Sequence, residues 1–112
     1  MNAIKQAVRQ NYASRFNDVF LLGEHEDWLV LELDGEVHFI WCAVKEAGTK
    51  LVPPSRQEAE KASVEWLVDN TELIDNNQPV KFDLAVVSLT GNTAGKAILC
   101  CVSCGNDWPK EV

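Results

Sequence analysis

A chain of 112 residues, 46% hydrophobic and 24% charged, suffices for one folded domain spanning 1–112 and excludes both a two-domain layout and a disordered chain. Ten basic against seventeen acidic residues give a formal net charge of −7. That sign repels phosphate backbones, so direct nucleic-acid binding is not expected, and the field instead steers the chain toward basic protein surfaces. The imbalance is uneven: residues 1–22 carry Lys5, Arg9 and Arg15 against Asp18, and the rest carry seven bases and sixteen acids. There is no apolar leader and no run near ~18 apolar residues, so a cytoplasmic location with no membrane contact is expected.

In chain order, Asn2 is placed to cap a helix over about 3–15, with Ile4, Val8, Tyr12 and Phe16 four apart on one apolar stripe. Val19-Phe20-Leu21-Leu22, closed by Gly23, reads as a short buried strand. Leu29, Leu31 and Leu33 alternate with Trp28, Val30 and Glu32, the period-2 pattern of a strand. Asp34-Gly35 follows as a two-residue turn, and Phe39, Ile40, Trp41 and Val44 mark a return strand apolar on both faces, ending near Gly48.

Pro53-Pro54 stops extended structure, and Ser55 with Glu58 has capping-box spacing, with Val52 positioned to brace the start of a second helix. Ala59, Ala62, Ser63, Trp66, Leu67 and Asn70 share one side of it, and Glu58, Glu65, Asp69 and Glu72 form an adjacent strip. Asp75 to Pro79 is loop by composition, and Lys81–Leu89 is an internal strand. Thr90 to Gly95 is a turn, and Lys96–Ser103 pairs back, before a short tail with Trp108. The expected class is α/β (α+β), in the order α-β-β-β-α-β-β, with a five-stranded mixed sheet.

That order, with Gly23-Glu24-His25-Glu26-Asp27, Ala43-Val44-Lys45 and Lys81-Phe82-Asp83, resembles the PD-(D/E)XK nuclease-like (restriction-endonuclease-like) fold. The nearest likeness is its small bacterial YraN-like branch, over about residues 19–89. The resemblance implies two acidic metal ligands and a lysine that orients the attacking water. The corresponding positions here are Glu26 or Asp27, Ala43 and Lys45, and Ala43 offers no oxygen to a Mg²⁺ ion. An acid from the second helix, Glu58, Glu60 or Glu65, is the remaining way to complete the pair. Two readings follow. One is a non-catalytic scaffold, an inhibitor or immunity factor without a cofactor. The other is a divergent metal-dependent nuclease using Glu24, Asp27 and Lys45.

For the first reading the binding residues are Glu24, Asp27, Glu32, Asp34 and Glu36, with Trp108 as an apolar anchor. Six acids lie within residues 24–36 with no lysine or arginine among them. Such crowded carboxylates suit a cationic partner, and they equally suit a solvated face that deters edge pairing. Cys101 and Cys104 have C-x-x-C spacing, yet a tetrahedral zinc site needs two further ligands, and His25, His38, Cys42 and Cys100 supply no second such pair. His38 and Cys42 share a strand face but stand ~13 Å apart along it, too far for proton transfer.

Overall fold

The computed structural model describes residues 2–46, 48, 50–74, 78–89 and 97–103, with the backbone alone at 46, 88, 89 and 97–103. Helix α1 (Ala3–Arg15) starts at Asn2, whose side-chain oxygen accepts the Lys5 backbone N–H at 2.8 Å. Strand β1 (Val19–His25) pairs antiparallel with β2 (Trp28–Leu33), and β2 pairs antiparallel with β3 (Glu36–Glu46). The β2–β3 turn is made by Asp34 at φ 48° and Gly35 at φ 88°, the two positive values that a twisted two-residue hairpin requires.

Helix α2 (Arg56–Asp69) lies in the crossover from β3 to the parallel strand β4 (Val80–Leu89), followed at its end by a 3₁₀ turn at Thr71–Leu73. Ser55 caps α2 by accepting the Glu58 N–H at 3.2 Å and donating its hydroxyl to Glu58 Oε1 at 3.2 Å. Val52 is 69% exposed and so buries little of itself at the start of α2. The backbone of β5 (Ala97–Ser103) pairs antiparallel with β4, completing the spatial order β1-β2-β3-β4-β5.

Strand alternation sends two apolar sets to opposite faces of this mixed sheet. Leu29, Leu31, Leu33, Ile40, Cys42, Ala85 and Val87 meet Val8 and Tyr12 of α1. Trp28, Val30, Val37, Phe39 and Phe82 meet Ala59, Ala62 and Trp66 of α2. Trp66 packs edge-on against Phe39, ring centroids 5.5 Å apart, and a buried aromatic of this size contributes about 1.5–3 kcal/mol. The molecule is a single α+β domain, two helices on a mixed sheet.

The first strand departs from its sequence reading. It is an edge strand, with Phe20 and Leu21 exposed, and it runs through Gly23 to His25. Its register with β2 shifts between Leu21 and Gly23. At Gly23 the Trp66 indole comes so near that a Cβ would lie 2.9 Å from Nε1. Glycine therefore serves here as room for a ring rather than as a strand terminator.

Candidate functional site

Two polar concavities lie at opposite ends and on opposite faces of the sheet. The first is a cleft of about 570 Å³ between the β1–β2 turn and the start of α2. Trp28 and Trp41 form its apolar wall, and Glu26, Asp27, Glu58 and Glu65 surround it with Lys61 as the lysine in its lining. The turn presents its acids because Glu26 takes φ 52°, a left-handed conformation that costs a non-glycine residue about 1 kcal/mol or more. The ammonium of Lys5, reaching from α1, donates to the Glu26 carbonyl and holds the turn in place. His25 ties the turn to α2, its Nε2 standing 3.1 Å from Glu65 Oε2.

The nuclease trio inferred from sequence is not assembled. Glu24 is drawn toward α1 by Lys5, whose Nζ lies 3.0 Å from Oε1, and that ammonium holds Glu24 below the usual carboxylate range. Asp27 lines the cleft, whereas Lys45 does not and sits opposite Ser88 far along the β3–β4 pair. Of the acids on α2, Glu58 and Glu65 face the cleft, and Glu60 accepts from Arg56 at 3.3 Å. Among the described residues, His25, Glu26 and Glu65 bring one ligand atom each within 4.8 Å of one another, a set that suits a borderline cation. Exposed acids also gather this way with no ion.

The run of acids over 24–36 is also less uncompensated than its sequence implies. Glu36 pairs with Lys81 at 2.6 Å, and its carboxylate holds that ammonium above the usual lysine range. Glu32 accepts from the Gln78 amide at 2.9 Å, and Asp34 accepts the Asp18 N–H at 2.8 Å. The partners come from α1, the α1–β1 connection, β4 and the segment before β4. The exposed acids Glu26, Asp27, Glu58 and Glu65 gather around the cleft. Trp108 and Cys104 lie outside the described residues, as do the Thr90–Gly95 turn and the loop at 75–77, and Cys101 is described only as a backbone position opposite Ala85.

The second concavity, of about 310 Å³, opens beside the end of α1, the β2–β3 turn and the beginnings of β3 and β4. Its floor is Asp83, 1% exposed, whose Oδ2 receives the Tyr12 hydroxyl at 2.9 Å and lies 2.6 Å from His38 Nδ1. With Asp83 ionised, Nδ1 carries the proton and donates it to this contact, which leaves Nε2 facing Glu36 Oε2 at 3.8 Å. Sequence reasoning weighs His38 as a zinc ligand and as a base for Cys42, and does not join it to Asp83. The available signal was Asp83, an acid inside the apolar run Phe82–Val87 on the same strand face as Ala85 and Val87.

Comparison with known proteins finds no significant match: no family model, no curated protein and no solved structure. Among the described residues, no helix is long and apolar enough to cross a membrane.

Proposed function

We propose that this chain is a small acidic interaction protein without catalysis of its own, an inhibitor or immunity factor for a basic nucleic-acid-handling partner. The carrying observation is the cleft, where four carboxylates and one lysine surround an indole wall. A lysine or arginine from a partner entering it meets negative charge at the rim and the apolar wall of Trp28 and Trp41 inside, so Coulomb attraction acts together with burial of the side chain's apolar stem. A surface that grips phosphates is basic, and an acidic cleft competes for the same side chains. The net charge of −7 adds long-range attraction and speeds encounter at low salt. Relative to the sequence reading, this docking surface keeps Asp27, leaves out Glu24, Glu32, Asp34 and Glu36, and adds Glu26, Glu58 and Glu65.

The test is capture of partners on immobilised protein, with mass-spectrometric identification, by the wild type and by Glu58→Lys/Glu65→Lys. A basic protein should be retained by the wild type at low salt, released at high salt, and lost with the double reversal. Retention indifferent to both changes sinks the proposal. A divergent PD-(D/E)XK metal-dependent nuclease is the second reading, favoured by Asp27 and Glu58 lining one cleft, since an acid from α2 is what would replace the one missing at Ala43. Cleavage of DNA or RNA in Mg²⁺ or Mn²⁺ that disappears with Asp27→Asn would put that reading first.

A further inference from the structure

Helix α2 carries apolar residues on two sides. Its inner side, Ala59, Ala62, Ser63 and Trp66, is buried on the sheet. Across the helix from these stand Val64 and Val68, one turn apart, 57% and 69% exposed. Half-buried Leu67 sits beside them, and exposed Leu73 follows in the 3₁₀ turn. A helix packed on a sheet needs one apolar stripe, with polar residues opposite it. Helix propensity does not call for valine here either, because its branched Cβ loses rotamer freedom against the preceding turn. Single apolar residues on a surface are ordinary; a pair on one crest, required by neither packing nor propensity, needs another cause.

The flanks of the crest point to what covers it. Gln57, Lys61, Val64 and Val68, all exposed, follow one another at alternating four- and three-residue steps, the seam spacing of a pair of packed helices. On that spacing Glu60 lies on one flank, and Glu58 and Glu65 lie on the other. Flanking charges choose the partner in such pairs, so acids on both sides call for lysines or arginines on the second helix. A second copy of α2 would set glutamate against glutamate, which disfavours self-pairing. Glu60 and Glu65 have local ties, to Arg56 at 3.3 Å and to His25 at 3.1 Å. Both ties lie on the surface, where an ion pair contributes little and an incoming cation can join or replace it. Lys61 is the cation on the seam, and its long stem can lie along an apolar contact with the ammonium in water. Glu58, Lys61 and Glu65 also line the cleft, so crest and cleft are continuous.

We propose that the crest of α2 is a docking face for one basic, amphipathic helix of the partner, its apolar seam on Val64 and Val68 and its lysines or arginines on Glu60 and Glu65. This deepens the proposed function and rests on its basic partner. It adds an apolar contact outside the cleft and names the element that makes it.

The test titrates the full chain with a synthetic helical peptide about three heptads long, leucine along its seam and lysine on both flanks. One control is a scrambled isomer of the same composition and charge, and another has glutamate in place of lysine. Fluorescence anisotropy of the labelled peptide reads affinity, and amide-proton NMR of the chain reads position. The lysine peptide should saturate, with shifts centred on residues 57–68. The scrambled isomer should bind about ten-fold more weakly and the glutamate version not at all. Val64→Ser/Val68→Ser should weaken the lysine peptide about ten-fold by removing the apolar contact. Both positions are exposed, so that variant stays folded. Glu60→Gln/Glu65→Gln should weaken it about three-fold at low salt. No saturation, equal binding of either control, or full affinity in the Val64→Ser/Val68→Ser variant overturns the proposal. Shifts confined to residues 26–28 and 41 would put the peptide in the cleft, which overturns this face and leaves the proposed function standing. The titration needs no natural partner, so it can succeed where capture on the cleft fails, and the reverse.

Discussion

The cleft and the cavity hold similar residue types in opposite states. In the cleft, Glu26, Asp27, Glu58 and Glu65 are exposed and keep much of their hydration. In the cavity, Asp83 is sealed and linked through His38 to Glu36 and on to Lys81, at 2.6, 3.8 and 2.6 Å. Burial decides what each carboxylate is for. An exposed acid contributes little to stability and is available to a partner, because water screens its neighbours. A buried acid has surrendered its water and depends on each remaining contact.

The sharpest way to break this contrast is to remove one acid of each kind. Asp83→Ala removes the buried carboxylate that His38 and Tyr12 share and should cost about 3–5 kcal/mol, a drop of more than about 10 °C in melting temperature. Glu58→Gln/Glu65→Gln should stay within about 0.5 kcal/mol per site. Calorimetric unfolding of the two variants checks both, and equal losses would erase the distinction. Next in size is Gly23→Ala. Its methyl would overlap the Trp66 indole, wedged against Phe39, and should cost about 1–3 kcal/mol in a denaturant titration.

The smallest effect belongs to a group between the two extremes. Glu24 is held below the usual carboxylate range by the hydrogen bond from Lys5, against a desolvation that pushes the other way. A depressed acid stabilises the fold above its unfolded pKa, and the contribution fades as pH falls through the folded value. Urea midpoints should therefore decline on acidification below the usual glutamate range, less steeply in Glu24→Gln. After discounting for solvent screening of a side chain 36% exposed, the difference should be below about 1 kcal/mol. A steeper decline in the variant would reverse the assigned sign.

Much of the local architecture could be read from the chain, since it is written within a few neighbouring residues. The Asn2 cap, the Ser55–Glu58 pair, the Asp34-Gly35 turn and the alternation of Leu29, Leu31 and Leu33 each depend on contacts three or fewer residues apart. What escaped depends on contacts across strands. The apolar run Val19–Leu22 reads as buried from sequence, because hydropathy does not say which strand ends up at an edge. Likewise, Asp83 meets His38 and Tyr12 only because β4 lies parallel to β3 under α1, separations of 45 and 71 residues. Compensation of Glu24 and Glu36 by Lys5 and Lys81 was hidden for the same reason. The acids of both sides of the cleft can be read from the sequence, Glu26 and Asp27 in the turn and Glu58 and Glu65 on α2, but not that Trp28 and Trp41 stand between them.

The register shift in β1 has a consequence for how copies of this molecule behave in a crowded solution. An outermost strand with an uninterrupted row of amides is a template on which another chain can zipper, and the greasy Phe20-Leu21 pair would invite it. Here the row loses its rhythm at Leu22, between the greasy half and the half carrying Glu24. Any intruding strand meets an offset after three residues and then negative charge, so the sheet guards its own margin against self-assembly.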